Sequence, residues 1–312
     1  MSTVRKLERD FLKADIKAVG SLMARLGEED VMSRFGLEEK LVELQSSLAQ
    51  LEEVPPEMAA SAALFFGGKP VIGSHGIESE FAGVAVGQFQ DLVAKIVAND
   101  TGRLAERGTV PRKAASTLHI TNIVRGSFGF LLEEIQPQLQ IVDSSLKVAV
   151  DEATRLLDAF GEDDEEKFRT AVENIDQRVL GTTRDFFDLM RRSGATMRLV
   201  AGDADHSFSA DAVARAAERA KTTTVEDLDE AVAGQLAGVL PEFHQFEFRV
   251  VDERGTIRGK VHRDLSAHQL GLFNKDYVNV NARAHLQIKR VLRNDTIVRE
   301  SYTLLSIEPE TP

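Results

Sequence analysis

The chain has 312 residues, with 38 Lys plus Arg against 50 Asp plus Glu and a formal charge of −12. At 43% hydrophobic it is too apolar to be disordered, and so acidic a chain lacks the dense basic footprint of a wholesale phosphate-backbone binder. With no cysteine, disulfides, thiolate metal sites and a cysteine nucleophile are excluded together.

That composition is compatible with a reducing, intracellular compartment. The N-terminus, MSTVRKLERDFLK, has no apolar run behind its charges, so no signal peptide is expected. The longest nearly apolar stretch, residues 59–68, is about half of the roughly 20 residues a spanning helix needs. The expectation is a cytoplasmic protein with no membrane partner. Its charge is uneven: residues 241–312 carry 11 basic and 10 acidic side chains, so residues 1–240 hold a net −13.

In chain order, Leu12, Ile16, Val19, Met23 and Leu26 make one apolar helical stripe, and Leu37, Leu41, Leu44, Leu48 and Leu51 make a second. Gly27 and Gly36 mark a break between them and Pro55–Pro56 a stop, which predicts a helical hairpin over residues 1–56. Two heptads per helix favour packing within the chain, with a homo-oligomer seam through residues 12–51 as the alternative.

Residues 57–222 read as an α/β body with a small antiparallel sheet. A strand at 61–66 is expected to turn at Gly67–Gly68 and return through Pro70, Val71 and Ile72. A helix then buries Ile77, Phe81, Ala85, Phe89, Leu92 and Ile96, while Gly83 and Gly87 leave room for a close backbone approach. A hairpin follows, turning at Arg125–Gly126, with Phe128, Phe130 and Leu132 aligned. One helix is read from Val150, Ala153, Leu157 and Phe160, and a longer one from Phe168, Val172, Ile175, Val179, Phe186 and Met190. A short strand at 196–200 and a helix capped by Ser209 close the body.

Residues 223–312 read as three strands (229–240, 243–251, 255–262), a helix (265–273) and two strands (278–291, 295–307). That is the order of an OB-like five-stranded barrel, with an SH3-like barrel as the alternative. Expected inward positions are Phe246, Phe248 and Val250; Ile257, Gly259 and Val261; and the even-numbered residues 278–288. The fold class is therefore α+β.

Candidate chemistry is sparse. Ser74, His75 and Gly76 lead into a helix whose free amides could hold an anion, with Arg125 and Ser127 of the next hairpin turn as partners. Glu78 and Glu80 already occupy that first turn, so a structural turn is the simpler reading. Asp203, Asp205 and His206, in a loop after a strand, could ligate a divalent metal or supply a general base for a metal-assisted hydrolase. They match no EF-hand loop, no His-Glu-x-x-His occurs, and no metal site is assigned. The acidic run 162–166 is read as a solvated loop. No nucleophile elbow or dinucleotide fingerprint occurs, and the sequence leaves any cofactor unknown.

The barrel carries the stronger expectation. Arg249, Arg258, Lys260, His262, Arg283, His285 and Lys289 all have outward parity, and an OB fold binds on its second and third strands. Aromatic rings for base stacking are missing from those strands, and Glu247 subtracts from the charge. The reading is a non-enzymatic binding or regulatory protein whose barrel docks a protein partner or single-stranded nucleic acid. A hydrolase with its site in the body and a structural subunit of an assembly are the alternatives.

Overall fold

The computed structural model describes residues 4–27, 30–53, 58–101, 116–124, 128–135, 142–173 and 175–310. The chain forms two compact units: Met1–Asp163 with Gly181–Ala220, and Asp164–Leu180 with Lys221–Pro312. The fold is α+β, with an N-terminal helical pair and a C-terminal closed barrel.

In the first unit, α1 (Arg5–Met23) and α2 (Val31–Glu53) pack as a hairpin. Leu12, Ile16, Val19 and Met23 on α1 and Leu37, Leu41, Leu48 and Leu51 on α2 are half-buried, and Leu44 is buried. Arg5 Nη2 donates to the Leu51 and Glu52 carbonyls at 2.9 and 3.2 Å, placing a cation on the unpaired carbonyls that end α2. The break is shorter than expected. Gly36 lies inside α2, because the roughly 1 kcal/mol cost of one helical glycine is outweighed by the leucines that follow.

Next come β1 (Ser61–Gly68), β2 (Val71–Ile72), β3 (Gly76–Ile77), α3 (Ser79–Thr101), β4 (His119–Val124), β5 (Phe128–Glu133) and α4 (Ser145–Gly161). With β6 (Ala195–Ala201) and β7 (Ala204–Phe208) they build an antiparallel sheet in the order β4-β5-β1-β6-β7. The expected Gly67–Gly68 hairpin is overturned: β1 pairs with β5 and β6, and residues 71–72 pair only with β3. Both glycines belong to β1, where Gly68 has φ +84° and a Cβ would strike the Gly194 carbonyl. The uninterrupted burial of residues 62–66 is that of a central strand covered on both faces. On one face the Phe66 ring meets Phe81 of α3 edge-on, with centroids 5.3 Å apart. On the other, Phe65 and Ala63 cluster with Val4 and Leu7 at the start of α1.

Residues Ser79–Asn99 of α3 are long and apolar enough by composition to cross a membrane. In the fold, Phe81, Ala85, Phe89, Leu92 and Ile96 bury in the core of the first unit. The stripe expected over residues 168–190 as one helix is two, α5 (Glu165–Val172) and α6 (Gln177–Arg192). The Asp176 carboxylate accepts from Arg178 N at 2.7 Å and starts α6 afresh. Asp164, from the acidic run, caps α5 in the same way. In α7 (Ala210–Thr222), Ser209 Oγ accepts from Ala212 N at 3.2 Å as expected.

The second unit holds α5, β8 (Thr223–Leu240), β9 (Gln245–Val250), β10 (Thr256–Val261), α8 (Ala267–Tyr277), β11 (Asn281–Arg293) and β12 (Thr296–Pro309). The five strands close in the order β10-β12-β11-β8-β9, antiparallel except where β10 runs parallel to β12. This is the closed five-stranded barrel of the OB-like expectation. Phe246, Phe248, Ile257, Val261, Ala282, Ala284, Leu286 and Ile288 are buried inside it. Val280, expected inward, is half-exposed, because α8 runs on to Tyr277 and β11 starts only at Asn281.

Leu270 of α8 is fully buried, and Asn274 exchanges two hydrogen bonds with the Val239 backbone at 2.7 and 2.8 Å. Farther back along β8 a charged network takes over. Glu230 accepts from Arg254 at 2.8 Å, Arg290 donates to Glu300 at 2.5 Å, and the Tyr302 hydroxyl donates to Glu300. Burial, and the carboxylate beside it, push the Tyr302 phenol up to about 12. Helix α5 joins this unit through Glu165–Arg293 and Glu173–Arg299 ion pairs of 2.6 and 2.9 Å, with Phe168 buried beneath the Arg293 guanidinium.

Candidate functional site

On the barrel wall, β9 and β10 form a ladder in which Gln245 faces Lys260, Glu247 faces Arg258, and Arg249 faces Thr256. Arg249, Arg258 and Lys260 are exposed, as their parity requires. Arg258 is held by Glu247 at 3.3 Å, and Arg249 reaches Asn279 at 3.4 Å. Lys260 has no partner among the described residues. The turn before β9 lies against the end of β10, with Val261 N donating to the His244 carbonyl at 2.8 Å. Phe243 in that turn is 69% exposed and Leu240 55%. An exposed aromatic ring thus stands in the turn that leads into β9.

The other basic candidates do not join this face. Strand β11 touches only β12 and β8, so Arg283, His285 and Lys289 lie elsewhere around the wall. His285 pairs with Glu308 at 3.1 Å, and Lys289 donates to the Ile175 carbonyl at 3.2 Å and stands opposite Asp227. His262 leans on Asp264 at 3.6 Å. Strand β8 also brings Glu226, Asp227, Asp229 and Glu230 into the barrel. Counted from Thr223, the barrel carries 11 basic and 14 acidic side chains, so its positive charge is local to β9–β10.

Asp205 and His206 are strand residues on β7, with only Asp203 in the turn before it. They project to opposite faces of the sheet. Asp205 stands opposite Val200 and is gripped by Arg198 Nε and Nη2 at 2.8 and 2.7 Å and by Lys6 at 3.1 Å. His206 stands opposite Leu199, with Nδ1 2.7 Å from the buried Asp158. Asp203 is exposed and 3.4 Å from Arg9. Among the described residues no group of three or more His, Asp or Glu is placed to hold a metal.

The Arg198 fork, then Lys6, holds the Asp205 carboxyl down to about 2, against the upward pull of burial. A depressed carboxyl stabilises the fold above its unfolded pKa near 4, and that stability is lost as pH falls through about 2. Asp205→Asn is expected to lower the thermal midpoint at pH 7 by an amount equivalent to about 1 kcal/mol, after allowance for its partial exposure. The gap to wild type should close between about pH 4 and pH 2. A gap that does not change with pH would remove the carboxylate from that account.

Ser74, His75 and Gly76 sit at the tip of the small β2–β3 hairpin, where His75 N donates to the Ile72 carbonyl, and α3 starts only at Ser79. The three are not at the helix start. Arg125 and Ser127, their expected partners, lie outside the described residues. Beside α3, Gly83 and Gly87 line an open apolar groove of about 760 Å³ that also takes in Ile120, Ile123 and Phe130. Its Gln90 amide is spent on Ser116 O and Leu118 N.

No family model, curated protein or solved structure matches this chain. Its class therefore rests on architecture: a helical pair, an antiparallel sheet with helices, and an OB-like barrel. Sequence parity found Arg249, Arg258 and Lys260 but missed Phe243. The Pro241 turn placing a phenylalanine between two strands was the available signal.

Proposed function

We propose that the chain is a non-enzymatic, cytoplasmic binding protein whose barrel docks an acidic segment of a protein partner across β9 and β10. The observation that carries this reading is the exposed Phe243 ring in the turn that leads into β9, an apolar anchor at one end of the strand pair that carries the outward Lys260, Arg258 and Arg249. A peptide with a hydrophobic residue flanked by carboxylates complements such a row. Single-stranded nucleic acid is the weaker fit. It would meet one ring and three cations, one of them held by Glu247, on a barrel that is acidic overall.

The test is a photo-crosslinking residue at position 243 of the full-length protein, expressed in its own cell, with adducts identified by mass spectrometry. Protein adducts that disappear in the double variant Arg249→Glu/Lys260→Glu are expected. Adducts that persist in that variant, or none at all, would reject the reading, and nucleic-acid adducts would transfer it to the other ligand class.

A further inference from the structure

A separate cavity of about 310 Å³ lies within the first unit, walled by the start of α1, the start of β1, α4 and the β6–β7 turn. Its charged lining comprises Arg5, Lys147, Asp151, Arg155 and Asp203, with the Ser61 and Thr154 hydroxyls beside them, the latter donating to the Val150 carbonyl at 2.8 Å. What this lining could bind follows from which of its polar groups are already used.

Each carboxylate is engaged through one oxygen. Asp151 accepts from Lys147 at 2.9 Å, Lys147 also serves Asp143 at 3.4 Å, and Asp203 faces Arg9. The guanidiniums too are only partly engaged. Arg5 bonds through Nη2 alone, to the Leu51 and Glu52 carbonyls, and Arg155 through Nε alone, to the Asp151 carbonyl at 3.2 Å. Among the described residues, Arg5 Nε and Nη1 and both terminal amino groups of Arg155 have no partner, nor has the Ser61 hydroxyl. Asp151 and Asp203 each keep one oxygen without a partner among the described residues, so the capacity left in the cavity is mixed, with donors in the majority and carried by two permanent positive charges.

We propose that this cavity binds a small metabolite through an oxyanion, a carboxylate or a phosphate, held between Arg5 and Arg155 with Ser61 as a further donor. A guanidinium presents its N–H groups as a planar fork that suits two-oxygen acceptors, and two forks favour an anion with several oxygens. The volume sits at the lower end of the range for small-molecule pockets, which limits the ligand to a few carbons beyond its anionic group. This inference does not depend on the barrel face.

The experiment is calorimetric titration and thermal shift on the full-length protein with inorganic phosphate, glycerol 3-phosphate, succinate and citrate, at ionic strength matched with sodium chloride. Saturable binding of at least one probe, raising the melting temperature, is expected. Arg155→Ala should weaken it at least about tenfold, and Arg155→Lys less, because a point charge keeps attraction but not the fork. Arg191→Ala, at an exposed position near the end of α6, should leave it unchanged. Phosphates binding more tightly than carboxylates, or the reverse, assigns the oxyanion. Because Arg155 is exposed, its loss should be tolerated, and Arg155→Gln replaces the alanine variant if far-UV circular dichroism shows misfolding. No binding by any probe up to about 20 mM, or equal binding by the Arg155 variants, overturns the proposal.

Discussion

Gly259→Val is expected to prevent the barrel from closing, with a loss of about 3 kcal/mol or more in the free energy of unfolding. Gly259 has inward parity on β10, between Ile257 and Val261. A Cβ there would enter the Tyr302 carbonyl oxygen and come within 2.8 Å of the Phe246 ring. The ring could turn, but the carbonyl belongs to β12, and β10 and β12 meet through only two register pairs, Lys260–Thr303 and Val261–Leu304. Moving β12 away opens that seam and exposes two sheet edges. Gly234→Ala should act the same way on β8, where a Cβ would meet the Arg249 carbonyl and lie 2.6 Å from the Phe248 ring. Gly238→Ala, with nothing within 4 Å, serves as the control. Urea unfolding with hydrogen exchange over residues 245–261 reads the outcome. A cooperative transition at the wild-type midpoint in Gly259→Val would refute this account of the seam.

Arg219→Met should cost about 3 kcal/mol through a different route. Arg219 is only 7% exposed, and its Nη1 donates to the Ala159 carbonyl at 3.1 Å, the Phe160 carbonyl at 3.4 Å and the Glu162 carbonyl. One buried cation on α7 thus satisfies the last carbonyls of α4 and opposes the negative end of its dipole. Methionine fills the space but takes that donor from the carbonyls of the buried Ala159 and Phe160. Lysine should recover only part of the loss, since its ammonium is more strongly hydrated than a guanidinium and its stem does not place a nitrogen where Nη1 sits. Arg215→Ala, removing a 2.8 Å bond from a more exposed side chain to the Gly161 carbonyl, should cost less than about 1 kcal/mol. Thermal midpoints of the four proteins give the ranking, and an Arg219→Met protein as stable as wild type would refute the capping role.

The barrel was legible in the sequence because its strands alternate, so parity alone separated Phe246 and Phe248 from Arg249, and Ile257 from Arg258. The body was less so. Strand β1 is apolar on both faces and carries no parity, and its two glycines imitate a turn when they serve a close approach to residues 194–196. Strand β7 is short and polar, an edge strand in which charge has a protective use, and it reads as loop. The separation of α5 from α6 was hidden because apolar spacing continues from Val172 through Ile175 to Val179, although Asp176 was a visible cap. For the site, parity placed side chains outward but could not say which strands neighbour one another. It therefore joined Arg283 and Lys289 to a face from which β8 and β12 separate them.

The chain passes between its two units three times, near residues 163, 180 and 220, and α5 lies in the first of these excursions. During synthesis α5 emerges before any barrel strand exists. Glu165 must wait for Arg293, 128 residues later, which at ribosomal speeds of about 5–20 residues per second is roughly 6–26 seconds. Through that interval the apolar face carrying Phe168 and Val172 has no barrel to cover it. A message truncated before β12 would release a nascent chain with that face permanently bare, a substrate for chaperones and proteases.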